Sequence, residues 1–475
     1  MPDLEEKKKI IELLMKNNIL ISPEILNALN SDENIRKILA LREITEESLN
    51  SLIFQRVKSK VKVIKSYKEE AKKRSVEDFT AHFNTRYGGI KEIIQKKQEM
   101  QDTISIKRVI DKNEKENVSI IGMIYEKAVT KNNNIIFTLE DPTGQINVVV
   151  NKNRPELFSI ARDCVCDEII GVVGTSGNKA IFANNIILPE IPATNELKKS
   201  PVEEYAIFTG DQHVGASQFL HDKFDKFLAW LNGTAGSEEQ RQMAQKARYL
   251  FLVGDLVDGV GIHPLQYNEL EIKDIKAQYS ILAEKLKQIP DRIEIIMCAG
   301  NHDALRLIEP QPPLYTDYAE KLYELPNAHI LSNPSIVNIG ATGNFRGFNV
   351  LLYHGFSFNF YAEAVESISV AGGAKRADLI MKFLLQRRHL APEHASVTSS
   401  PRTEEDPLLI DIIPDFFVTG HIHRSTVSSY RNITMLNCSC WIDMTSFQEK
   451  VGLVPEPARV VAVNLQTREA KVIKF

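Results

Sequence analysis

Five short clusters of polar residues carry the chemistry of this sequence, and each stands directly after an apolar run. Tyr205 to Thr209 leads into Gly210-Asp211-Gln212-His213, and Tyr249 to Val253 leads into Gly254-Asp255-Leu256-Val257-Asp258-Gly259. Ile293 to Ala299 ends at Gly300-Asn301-His302-Asp303, Val350 to Tyr353 at His354-Gly355, and Phe416 to Thr419 at Gly420-His421-Ile422-His423. Five of the 11 histidines fall in these clusters. Carboxylate, imidazole and one amide oxygen, with no thiolate, make a donor set for hard-to-borderline divalent cations. One carboxylate shared between two ions about 3.5–4 Å apart would let both clamp a phosphate and sharpen a water into hydroxide. Taken singly, a Gly-Asp after a strand is a turn or helix cap, and a strand-end histidine is a hydrogen-bonded structural residue. Taken as a set they converge, because ligands in α/β sheets bind beyond the carboxyl ends of the strands. The flanking glycines let the backbone turn sharply and approach a ligand closely.

Bringing five strand ends together requires an α/β domain, and apolar strands alternating with helical stretches over residues 203–475 supply it. Upstream the texture differs. Val118 to Tyr125, Ile135 to Glu140, Gln145 to Val150, Glu168 to Val173 and Ala180 to Leu188 are five β-rich runs. The turn signals Lys131-Asn-Asn-Asn and Asp141-Pro142-Thr143-Gly144 punctuate them. Five strands within residues 104–190 predict a small Greek-key barrel of the OB type, which binds single strands or docks on a neighbour. Residues 1–75 read as a helical N-terminal domain: Leu4 to Met15 is amphipathic, Ser22-Pro23-Glu24 is a helix start, and a helix from Thr45 is expected to run on to Lys73. The Lys-rich Val57 to Lys73 is a solvated face or a contact for DNA or a partner. Residues 76–103 form a helical linker and the proline-containing 191–202 an interdomain connection.

The order Asp-x-His, Gly-Asp-x-x-Asp, Gly-Asn-His-Asp, His-Gly, Gly-His-x-His resembles the calcineurin-like metallophosphoesterase superfamily over residues 203–475. The resemblance implies that Asp211, His213 and His423 hold a first metal, that Asn301, His354 and His421 hold a second, and that Asp255 bridges the two. His302 would be the unliganded histidine at the leaving oxygen, acting as general acid or transition-state stabiliser, and Asp303 would orient its imidazole. Asp258 would support the ligands from behind or simply cap a turn. Further stretches are similar to the small subunit of archaeal family D DNA polymerase: Gly300 to Pro312, Glu269 to Ile275, Arg388 to Pro392 and Asp78 to Tyr87. So is the order of helical region, OB barrel and phosphoesterase. One departure is Ala299, where a proline often precedes Gly-Asn-His; it is not a ligand position.

This resemblance implies a multidomain α+β protein: a helical N-terminal region, an OB-type β-barrel and an α/β metallophosphoesterase domain built as a β-sandwich flanked by helices. It implies a dinuclear 3′→5′ exonuclease that proofreads for a separate large polymerase subunit, acting on single-stranded DNA or a primer 3′ end, with a sliding clamp as a further candidate partner. The metals would be two divalent ions, manganese on the resemblance, with iron, zinc, nickel or magnesium allowed by donor type. Eukaryotic relatives have lost ligands, whereas every ligand position here is filled. The competing readings are a non-catalytic scaffold subunit and a metal-dependent phosphatase.

Other features set bounds. The 475 residues predict several domains, and 43% hydrophobic content is ample for their cores. A net charge of −4 announces no polyanion partner, so any DNA contact must come from local basic surface. Arg387 and Arg388 are candidates for phosphate contact, and Phe356, opening an aromatic run beside His354, for stacking on a base. With neither a transmembrane run nor an apolar leader core, a cytoplasmic, nucleoid-associated protein is expected. Five cysteines make no disulfide framework, and the pairs Cys164/Cys166 and Cys438/Cys440 are expected on strands as inert thiols.

Overall fold

A strand, β1 (Val61–Ser66), opens the described part of the main body. A helix was expected there, but the alternating, β-branched Val-Lys-Val-Ile suits a pleated edge better than a helical turn. The computed structural model describes residues 10–12, 14–16, 61–68, 73–112, 115–177, 179–264 and 266–475. Two compact units divide the chain, residues 1–62 and 63–475. In the first, the described residues 10–12 and 14–16 are helical, with Ile10 and Leu14 buried one turn apart. The helices expected between residues 22 and 60 lie outside the described residues.

In the second unit, β2 (Asn117–Val129), β3 (Ile135–Asp141), β4 (Gly144–Val150), β5 (Ile169–Gly177) and β6 (Ala180–Ile187) close a barrel in the order β2-β3-β4-β6-β5. This is an OB-like barrel. Alternate residues fill it: Ile135, Phe137 and Leu139 from β3, and Ile146, Val148 and Val150 from β4. The turn between those strands is set by Asp141, whose Oδ1 accepts from the Thr143 amide at 2.7 Å and the Gly144 amide at 3.1 Å. The helix Val76–Gln95 lays Tyr87, Ile90 and Ile94 against Ile121, Ile169 and Ile187 on the outside of the barrel. Cys164 and Cys166 are not on a strand: they lie between the helix Pro155–Asp163 and β5, where Cys164 ends the helix and is buried in the barrel core. All five thiols are free.

The remainder holds two facing sheets. One has the order β10-β9-β8-β7-β16-β17, with β7 (Tyr205–Thr209), β8 (Ala247–Val253), β9 (Glu294–Cys298) and β10 (Ala328–Leu331) parallel, and β16 (Arg459–Asn464) and β17 (Ala470–Lys474) antiparallel at its edge. The other has the order β1-β11-β12-β13-β15-β14, built on β11 (Ser335–Ile339), β12 (Phe348–Leu352), β13 (Phe416–Thr419), β14 (Thr426–Tyr430) and β15 (Ile433–Asn437). Phe208 of β7 stacks on Phe251 of β8 at 4.8 Å and meets Phe416 of the opposite sheet at 5.8 Å, so aromatic rings fill the sandwich. The other faces of the same strands, Ile207, Leu250, Leu252, Ile295 and Met297, pack under helices that include His221–Leu231 and Ile275–Leu286. Strands buried on both faces explain the near-continuous apolar runs seen in the sequence. Among the described residues no helix is long and apolar enough to cross a membrane.

Candidate metal centre

Each polar cluster leaves the carboxyl end of a parallel strand: β7, β8 and β9 side by side in one sheet, and β12 beside β13 in the other. Backbone bonds lash the loops together. The Asp211 amide donates to the Gly254 carbonyl at 3.0 Å and the His213 amide to the Asp255 carbonyl at 2.9 Å. The two sheets are joined the same way, with the His421 amide donating to Asp211 Oδ1 at 3.0 Å. Asp211, His213, Asp255, His421 and His423 all have positive φ, between 49° and 69°. Non-glycine residues avoid this region unless their surroundings over-determine it, and such strain concentrates at functional sites. Gly254, at φ +77°, admits the imidazole of His354: a Cβ there would lie 2.1 Å from its Nδ1.

Among the described residues three donor groups result, two of them sharing Asp255. Asp211, His213, Asp255 and His423 form the first, and Asp255, His354 and His421 the second. His213 Nε2 is 3.1 Å from His423 Nε2 and 3.6 Å from Asp255 Oδ2. His354 Nε2 is 3.3 Å from Asp255 Oδ2 and 3.0 Å from Asn301 Oδ1, which adds Asn301 to the second group.

These residues fit a pair of divalent cations. His354 Nδ1 faces the Val253 carbonyl at 3.2 Å, and His213 Nδ1 the Asp258 carboxylate at 3.0 Å. Both partners accept only, so each Nδ1 carries the proton, which aims the His354 Nε2 lone pair at Asp255 Oδ2 and Asn301 Oδ1 and that of His213 at Asp255 Oδ2. Such convergence needs positive charge, from a metal or a proton. Burial alone would lower the His354 pKa, yet the Asp255 carboxylate overrides it and pushes it up to about 9. Burial likewise works to lift Asp255, but His354 and His302 hold it well below the usual carboxylate range.

His302 belongs to neither of the two groups that share Asp255, and forms the third with His213 and Asp258. Its amide donates to Asp255 Oδ1 at 2.8 Å, and its Nδ1 donates to the Asp258 carbonyl, also at 2.8 Å. Its side chain is 19% exposed where that of His213 is 2% exposed, so it lies on the open side of the centre. The orienting role expected of Asp303 is a correction. Asp303 is buried, with Oδ2 accepting from the Gly300 amide at 2.8 Å and the Leu256 amide at 3.2 Å, and Oδ1 from the Tyr279 hydroxyl at 3.0 Å. Burial, reinforced by the charge of Asp255, pushes its pKa up to about 7. Asp303 therefore ties two strand-end loops together, and Asp258 orients the imidazole.

Comparison with known proteins places these loops. Residues 206–425 match the calcineurin-like phosphoesterase family. The DNA polymerase II small subunit of Methanothermobacter thermautotrophicus is 38% identical over 387 residues, covering 82% of this chain and 77% of that one. That of Thermoplasma acidophilum is 32% identical over 480 residues, covering 99% of this chain and 93% of its relative. The chain belongs to the archaeal family D DNA polymerase II small subunits. The Pyrococcus abyssi small subunit, 35% identical, is longer, and the chain spans 63% of its length.

In this small subunit several partners of the donor residues come from segments between the motifs. Gln266 Nε2 donates to the Asp258 carbonyl at 2.7 Å and to its Oδ2 at 2.8 Å. Gln448 Nε2 sits 2.7 Å from His423 Nδ1, and Asn359 Nδ2 3.2 Å from His421 Nε2. None was singled out from the sequence. Thr445-x-x-Gln448 is legible as a capping box, though not as a histidine support.

Of the residues expected to meet DNA, Phe356 lies at the centre, its ring 5.7 Å from that of His421, while Phe358 and Tyr361 of the same aromatic run are core. Arg387 and Arg388 are corrections, because both are buried with their guanidiniums already engaged. Arg387 Nε donates to Glu168 of the barrel at 3.2 Å, and Arg388 donates to the carbonyls of Ile410 at 2.6 Å and Asp411 at 3.0 Å. Buried and engaged in this way, neither side chain is presented to a phosphate.

Proposed function

We propose that the chain is the 3′→5′ exonuclease subunit of a heteromeric DNA polymerase, paired with a large subunit that carries out synthesis. The observation that carries the reading is the filled double group around Asp255 in a member of the polymerase II small subunits. Asp211, His213 and His423 would hold one ion, Asn301, His354 and His421 the other, and Asp255 both. Two divalent ions, manganese by our reading, would supply Lewis-acid stabilisation of a phosphodiester and activation of a water.

The chain's own residues then divide the remaining work. His302, with Nδ1 occupied by the Asp258 carbonyl, presents Nε2 to the open side, where it moves a proton to the departing 3′ oxygen or stabilises its charge. Asp258 and Gln266 hold that imidazole and His213 at fixed separation, so the proton donor and the first ion keep register. Backbone strain at five donor residues favours a centre preorganised before substrate arrives.

Digestion of a 5′-labelled oligonucleotide with a mismatched 3′ end, in Mn²⁺, tests the reading. A ladder shortening from the 3′ end, with the chain alone or with its large subunit added, is expected. No shortening in either setting contradicts it and leaves a scaffold role.

A further inference from the structure

Strand register lines up Ala128 of β2, Ile136 of β3, Val149 of β4 and Phe182 of β6 side by side across the barrel. Their neighbours along the strands, Phe137, Val148 and Ile181, fill the barrel, so this apolar row faces outward. Four adjacent strands carry it over about 14 Å. The rest of the chain leaves it open: Ala128 is exposed, Ile136 and Val149 are half-buried, and Phe182 is 54% exposed. Gly177 of β5 makes room for the Phe182 ring, since a Cβ there would lie 3.1 Å from its Cε2. One edge of the ring thus rests on bare backbone, and the remainder meets solvent.

The charge around the row has one sign. Residues 127–139, 142–155 and 174–187, which supply the row and the turns beside it, hold Lys127, Lys131, Lys152, Arg154 and Lys179 and no acid. Lys127 is engaged by the carbonyls of Arg162 and Cys164, whereas Lys131, Lys152, Arg154 and Lys179 are exposed. Arg154 is set against the row itself: its Nη1 donates to the carbonyls of Ala183 at 3.5 Å and Asn184 at 3.4 Å, directly after Phe182 on β6. The nearest acids by register are Glu126, opposite Thr138, and Glu140, opposite Gln145, which already donates to it at 2.9 Å.

An open aromatic and aliphatic row suits the flat faces of bases, and a cationic border suits phosphates. A duplex stacks its base faces away, so only a single strand presents both groups at once. We propose that this row is a binding face for single-stranded DNA, with bases laid on Phe182, Val149 and Ile136 and the backbone passing Arg154. It rests on the function proposed above only for the identity of the strand as DNA, and it needs no cleavage at the metal centre. It also gives a net-negative chain a local anchor for a polyanion.

The test is fluorescence anisotropy of a 5′-fluorescein thymidine dodecamer on the full chain, in EDTA so that the metal centre neither cleaves the strand nor holds its phosphates. The wild type should bind this strand more tightly than a duplex of equal length. Phe182→Ala should weaken binding by about 5-fold or more with the salt dependence unchanged, and Phe182→Tyr, which keeps the ring, should bind like wild type. Arg154→Gln, which can still donate to the β6 carbonyls, should flatten the log–log salt dependence by about 0.7, the slope of one single-strand phosphate contact. Phe182→Ala also uncovers Gly177, so Arg154→Gln decides the case if the alanine variant fails to fold. No binding by the wild type, equal affinity for the duplex, full affinity in a folded Phe182→Ala, or an unchanged slope in Arg154→Gln would each overturn the assignment. Intact DNA binding with weakened assembly on the large subunit would overturn it too, and make the row a protein contact. If the strand binds as described but is never shortened in Mn²⁺, the exonuclease reading fails and this face stands.

Discussion

The carbonyl oxygen of Asp258 lies 2.8 Å from Nδ1 of His302, while its carboxylate lies 3.0 Å from Nδ1 of His213. One residue thus holds two histidines by chemically separate groups, and only the carboxylate is open to side-chain substitution. Asp258→Asn should therefore lower affinity at the first metal group by about 10- to 100-fold, as loss of an outer partner does, while leaving His302 in place. Manganese titration of the variant checks this. Unchanged affinity would mean that the carboxylate merely shapes the turn.

Arg387 and Glu168 form a buried pair between the phosphoesterase domain and the barrel, 5% and 1% exposed. Arg387→Met should cost about 3–5 kcal/mol, because it leaves Glu168 charged and unpaired in the interior. Adding Glu168→Gln should recover most of the loss. Urea unfolding of the two variants measures it, and an affinity for DNA that follows Arg387 rather than stability would restore the phosphate-contact reading.

His389 is set against acid. Its Nδ1 accepts from the Ala391 amide at 3.0 Å and its Nε2 donates to Asp406 at 2.9 Å, so a second proton has no place. Burial, with Arg86 nearby, lowers its pKa to about 4 despite Asp406. The unfolded chain therefore takes up a proton near pH 6.5 that the folded chain refuses. Stability should fall as pH drops from about 6.5 through about 4, by at most about 1.4 kcal/mol per unit. Melting curves of wild type and His389→Gln should converge in this window, and an equally steep variant would refute the assignment.

The five donor clusters were legible because each is contiguous, glycine-flanked and placed at a strand end, so type and spacing sufficed. The barrel was legible for a similar reason, since Asp141 and its neighbours mark the turn between two alternating strands. What escaped was long-range pairing. Arg387 reads as surface charge until the fold sets it beside Glu168, 219 residues away. Asp303 follows His302 directly and so invited the orienting role, but the tight loop turns its carboxylate onto backbone amides. β1 carries lysines that suit a helix face as well as an edge strand, and there only pairing decides.

The most direct test measures bound manganese and hydrolysis of the labelled oligonucleotide on the same preparation of His302→Ala, beside wild type. The account predicts two ions per chain and loss of turnover by about 10²- to 10⁴-fold, the range for removing a proton-transfer group. Loss of metal together with turnover would make His302 a ligand, and retained turnover would remove it from the chemistry; either result contradicts the division of roles proposed for the centre.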